Sequence, residues 1–160
     1  MKESISLPKG FTAGFSRKVI NPEAGTSLGG FPGANKRLSE TVADDMMLSC
    51  LVISDGENAV LLFSSDSIHV GKPIADRVAN IIEETCGIPK ECVLMNATHT
   101  HSGPSLYSGR GTGIPKYLEE IYFPAALQIA RQALADLAPC QMRVGRAQTN
   151  GLNYVRRYMN

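Results

Sequence analysis

Residues 59–101 read AVLLFSSDSIHVGKPIADRVANIIEETCGIPKECVLMNATHTH, and their pattern decides the fold. Ala59 to Ser65 is a short apolar run closed by the polar cluster Ser64 to His69, which reads as a strand. Leu61, Leu62 and Phe63 are consecutive, so this strand is expected centrally in a sheet with both faces covered. Pro73 opens a predicted helix to about Cys86, with Ile74, Val78, Ile81 and Ile82 at helical spacing and Gly87 as the stop. Glu91 to Ala97 returns as a strand, and His99 and His101 stand just beyond its end. The order is β-α-β. Parallel strands joined this way cross over right-handedly and bring their ends to one edge, so Asp66, His69 and the His99/His101 pair are predicted on one rim.

Upstream, Met46 to Ser54 and Ala59 to Ser65 flank Asp55-Gly56-Glu57-Asn58, whose Asp-Gly predicts a β-hairpin. Phe11 to Ile20 reads as a first strand that ends at Asn21-Pro22. Between these strands, Gly25, Gly29, Gly30, Pro32 and Gly33 deny helix and strand alike and leave a long loop. Downstream, Pro115 to Leu137 is a second long helix with Leu118, Ile121, Tyr122, Ala125, Ile129, Ala133 and Leu137 inward, and Pro124 is expected to kink it. Gln141 to Ala147 is predicted as a further strand, with Arg143 and Arg146 solvated. The architecture is therefore α/β: a mixed β-sheet with a hairpin, a β-α-β unit and a second long helix packed on it.

At 160 residues, 43% hydrophobic and 19% charged, the chain has the composition of about one globular domain. A formal net charge of +1 gives no electrostatic case for nucleic acid or an anionic membrane. The first residues lack a signal peptide's basic start and apolar run, and no apolar stretch reaches the roughly 18 residues of a membrane span, so the expected location is the cytoplasm, or outside the cell if the start of the chain was trimmed. Cys50, Cys86, Cys92 and Cys140 show no Cys-x-x-Cys spacing and read as reduced thiols. The glycines between Ser105 and Gly113 match no phosphate-loop spacing and read as a flap beside the site.

Successive side chains of an extended segment alternate, so His99 and His101 are expected on one face with Thr98 and Thr100 on the other. Paired imidazoles suit a metal, but a catalytic zinc needs about three protein ligands and an open position, so two histidines are only part of a site. Asp66 reads equally as a turn former at a strand end or as a rim carboxylate orienting a metal-bound histidine. His69 reads as an ordinary solvated or capping histidine, and Tyr107, Tyr117 and Tyr122 are assigned to packing.

Thr98-His99-Thr100-His101-Ser102-Gly103-Pro104 resembles the THTHSGP signature of the neutral/alkaline, non-lysosomal ceramidase family. Ala13-Gly14-Phe15, Ile20-Asn21-Pro22, Asp44-Asp45-Met46 and Ser64-Ser65-Asp66 follow in the family's order, and Val155-Arg156-Arg157-Tyr158 resembles its Asn-Arg-Arg-Tyr segment with valine in place of asparagine. Ser105 and Leu106 stand where the family often continues with glycines. The resemblance implies zinc-dependent hydrolysis of a linear amide, ceramide-like or another N-acyl compound. It implies His99 as a zinc ligand, His101 as a substrate-facing catalytic histidine and Arg156, or Arg157 beside it, as the site arginine. Because the family's other ligands lie further along longer chains, residues 1–160 are expected to be the N-terminal portion of one catalytic domain, inactive alone and completed by Zn²⁺ in the whole. The competing expectation is a non-catalytic truncated paralogue, a binding module whose unfinished sheet exposes apolar surface and self-associates. An anion site at Gly109 to Gly113 ranks below both.

Overall fold

A computed structural model describes residues 6–31 and 37–152. Five strands form one mixed sheet: β1 (Thr12–Val19), β2 (Met47–Ser54), β3 (Ala59–Ser65), β4 (Val93–Ala97) and β5 (Ala138–Pro139), in the spatial order β4-β3-β2-β1-β5. β3 and β4 pair in parallel, from Leu61 opposite Val93 to Ser65 opposite Ala97, and the remaining pairs are antiparallel. Helix α1 (Lys72–Cys86) makes the crossover and stops at Gly87, as its periodicity and punctuation predict.

The hairpin forms where Asp-Gly places it. Asp55 Oδ1 accepts hydrogen bonds from the Glu57 and Asn58 amides, and these bonds hold its carboxyl below the ordinary carboxylate range. β2 and β3 alternate strictly between buried and half-buried residues. One sheet face, carrying Leu48, Cys50, Val52, Leu61 and Phe63, is sealed in the core with Ile74, Val78 and Ile82 of α1. Each of those three helix side chains contributes about 1.5–3 kcal/mol relative to exposure. The other face is not sealed: Phe15 is 51% exposed and Leu94 50%. Thus β3 lies inside the sheet as predicted, but only one of its faces is fully covered.

The second long helix is continuous from α2 (Ile114–Tyr117) through a π-helical turn (Leu118–Tyr122) into α3 (Phe123–Ala135). Pro124 explains the turn. Its ring crowds the carbonyl four residues back and it has no N–H to donate, so widening the preceding turn relieves the clash. The Phe123 amide accordingly reaches back five residues to Leu118 O. Tyr117 and Tyr122 are core residues, as assigned. Burial pushes the Tyr122 hydroxyl up to about 12, and it also raises Tyr117, whose hydroxyl donates to Ile20 O at 2.7 Å. Tyr107 differs, being 69% exposed. All four cysteines are thiols, and burial, with Cys86 nearby, pushes Cys50 up to about 12.

The strand predicted over Gln141 to Ala147 does not form. Residues 141–150 are exposed and outside the sheet, and the chain pairs with β1 only at Ala138–Pro139. The reason is the lack of a partner surface among the described residues. Met142 and Val144 alternate as strand residues should, yet they are 69% and 86% exposed, with no described residue covering them. Arg143 and Arg146 are exposed, as expected, though on irregular chain.

Candidate active site

The parallel pairing of β3 with β4 builds the site. Beyond the last ladder pair, the strand ends stay joined: the Thr98 amide donates to Ser65 O and the His99 amide to Ser67 O, both at 3.0 Å. Asp66 locks this junction from the side. One carboxylate oxygen accepts from the Met47 amide at 2.8 Å and the other from the Thr98 hydroxyl at 3.0 Å. Both of these contacts are made at the strand ends. Asp66 ties β2, β3 and β4 together and touches the residue before His99 rather than the imidazole. Asp66→Ala is expected to cost about 2–3 kcal/mol in urea denaturation, since two bonds to a charged acceptor are lost and the Met47 amide is stranded. Asp66→Asn, which keeps one acceptor oxygen, is expected to cost about half as much.

His99 does not continue the strand. Its φ is +67°, the left-handed region that few non-glycine residues occupy. The predicted alternation of His99 and His101 along an extended segment is therefore broken. Their rings meet instead through the turn, edge to face, with centroids 4.9 Å apart. His99 Nδ1 lies 2.7 Å from Ile68 O. A carbonyl only accepts, so Nδ1 carries the proton, and in the neutral ring the lone pair sits on Nε2. That is the tautomer a metal-binding histidine adopts, with its other nitrogen bonded to a backbone carbonyl.

His69 is half-buried: among the described residues its buried Nε2 has no hydrogen-bond partner, and its ring meets Tyr107 at 4.8 Å. The rim predicted from β-α-β topology thus forms, but with different internal contacts. Arg156 and Arg157 lie outside the described residues. Sequence reasoning did not foresee three partners. The Ile68 carbonyl orients His99, Thr98 links it to Asp66, and Phe31 packs its ring edge-on to His101 at 5.4 Å. None had a side-chain signature to find, because each acts through a backbone atom or a contact across distant sequence.

Among the described residues no group of three or more His, Cys, Asp and Glu side chains could hold a metal. The donor chemistry of His99 fits one ligand position of a zinc site, and the described residues do not complete that site. The 105–113 loop is tied down beside it, with Ser105 N donating to Ser27 O, Ser27 N to Thr112 O and Gly71 N to Leu106 O.

No protein-family model matches the sequence, and no curated protein matches it. The fold does have solved counterparts. It is similar to the crystal structure of neutral ceramidase from Pseudomonas aeruginosa, with a TM-score of 0.67 at 16% identity. It is also similar to a structure of ceramidase complexed with C2, with a TM-score of 0.62 at 14% identity. Each likeness covers 82% of this chain and 22% of the other, so the chain spans about a fifth of the length of these structures. At such identities the likeness establishes a shared fold. Among the described residues no helix is long and apolar enough to cross a membrane.

Proposed function

We propose that this chain is part of a larger, zinc-dependent catalytic domain that hydrolyses a linear amide, with a ceramide-like or other N-acyl compound as substrate. One observation carries the reading: His99, held in a left-handed conformation, has Nδ1 fixed by Ile68 O, which leaves Nε2 as its ligating atom. Strained residues of this kind cluster where function requires them. The THTHSGP signature and the fold it shares with ceramidase structures support the same assignment.

In this reading His99 contributes one zinc ligand, and the others come from outside the described residues. When bound, the metal polarises the amide carbonyl and lowers the pKa of water to about 7. His101, packed against His99 and exposed, faces the substrate and donates a hydrogen bond to the oxygen that gains charge as the amide is attacked. Arg156, in the Arg-Arg-Tyr segment, supplies positive charge to the same oxygen.

A second reading, a non-catalytic binding module that self-associates, is favoured by the uncovered sheet face bearing Phe15 and Leu94. Zinc titration and a screen of N-acyl amides, run on the 160 residues and on the longest reading frame containing them, separate the two. The short chain is expected to bind zinc weakly without turnover, and the longer one to bind it stoichiometrically and hydrolyse the amide. Tight zinc with turnover in the short chain would refute the partial site. Absence of zinc-dependent hydrolysis in the longer frame would refute the enzyme and leave the module.

A further inference from the structure

The glycine loop after β1 lies directly on the histidine turn. Gly29 N donates to Gly103 O at 2.8 Å, Ser105 N donates to Ser27 O at 3.1 Å, and Leu28 bridges to Pro104. These tethers, at Ser27, Leu28 and Gly29, fix the loop's register immediately before Gly30. Gly30 itself has φ +103°. A Cβ placed there would lie 2.6 Å from His101 Cα, 2.7 Å from its Cβ and 2.8 Å from its Cγ. Three successive atoms of one residue thus occupy the space that a side chain would need. By contrast, Gly10 and Gly25 also have positive φ but face open space, so the contact at Gly30 is specific to His101. Phe31, the next residue, packs edge-on to the imidazole at 5.4 Å and 81°, and the Arg37 guanidinium stacks 4.6 Å from the Phe31 centroid. Arg37, Phe31, His101 and His99 therefore form one continuous stack of contacts.

We infer that Gly30 and Phe31 are positioning residues for the His101 imidazole, Gly30 by leaving room for its backbone and ring base, and Phe31 by fixing the ring against His99. The importance of that position for chemistry rests on the reading of His101 as substrate-facing; the positioning itself does not. Because the neighbouring hydrogen bonds prevent the loop from lifting away, a side chain at residue 30 must displace His101.

The test is NMR of the chain labelled at histidine, whose three histidines give three sets of ring resonances. Gly30→Ala is expected to shift the His101 signals and, through ring contact, those of His99. His69, packed on Tyr107, stays in place and reports an intact fold. Phe31→Leu, which introduces no backbone strain, is expected to remove the ring-current displacement at His101, and Phe31→Tyr to restore it. If Gly30→Ala unfolds the chain, the Phe31 pair decides. Unmoved His101 signals in Phe31→Leu, or failure of Phe31→Tyr to restore them, overturn the proposal. If His101 moves in these variants while amide hydrolysis by the longer reading frame is unchanged, the positioning stands and the substrate-facing role of His101 falls.

Discussion

Gly71→Ala is expected to remove about 4 kcal/mol or more of stability, a large share of the roughly 5–15 kcal/mol available to a domain. Gly71 has φ −66° and ψ 150°, a conformation any residue adopts, so backbone freedom is not the reason for glycine. The reason is proximity. An alanine Cβ would fall 1.7 Å from the Tyr107 carbonyl oxygen and 2.6 Å from its carbon. Backbone atoms cannot rotate aside as a side chain can, so one of the two segments must move. Gly71 also caps α1, its carbonyl accepting from the Ile74 and Ala75 amides, while its own amide donates to Leu106 O at 2.8 Å. Moving it frays the first turn of α1. Moving the 105–113 loop breaks the Leu106 hydrogen bond and pulls fully buried Leu106 from the core. Burying a leucine side chain is worth about 1.5–3 kcal/mol and a hydrogen bond about 1, before any strain that remains. Urea denaturation checks the loss. Gly145→Ala is the control: its Cβ meets nothing within 4 Å, and a change within about 0.5 kcal/mol is expected. Equal effects at the two positions would show that the close approach at Gly71 does not matter.

Gly71 also shows where the sequence could be read and where it could not. Elements whose cause is local were legible. The Asp55-Gly56 turn, the apolar spacing of α1 and its stop at Gly87 all lie within a few residues of what they determine. The rim followed from them, because the right-handed crossover leaves little choice about where the ends of β3 and β4 emerge. Failures came where the cause was distant. Gln141 to Ala147 carries a strand pattern without a surface to pack on among the described residues, and a pattern cannot report a missing partner. The alternation rule placed His99 and His101 on one face by assuming that the strand continued, whereas the left-handed turn at His99 brings their rings together another way. Ile68 O lies 31 residues from His99, so its hold on the imidazole appears only in three dimensions. Gly30 was visible only as one loop-breaker among five.

His99→Asn, made in the longest reading frame that contains this chain, is expected to lower zinc affinity by at least about 100-fold and to reduce amide hydrolysis to background. Loss of an outer hydrogen-bond partner of a metal ligand already costs about 10–100-fold, and loss of the ligand itself removes more. Asparagine is chosen over alanine because of φ +67°. A left-handed conformation costs an ordinary L-residue about 1–2 kcal/mol, whereas asparagine visits it routinely, so His99→Asn separates the imidazole from the backbone it sits on. His99→Gly adds a second comparison. Glycine relieves the strain but gives up the Nδ1 bond to Ile68 O, worth about 1 kcal/mol, and loosens the unfolded chain. These terms nearly cancel, so the stability of His99→Gly is expected to remain within about 1 kcal/mol of the parent while zinc binding is lost. That pairing is diagnostic. A histidine kept for the fold would lose stability in both variants and leave metal affinity unchanged, whereas a ligand would show the reverse. Equilibrium dialysis against zinc, with urea denaturation on the same samples, reads both quantities. Unchanged zinc content and turnover in His99→Asn would remove His99 from the metal site.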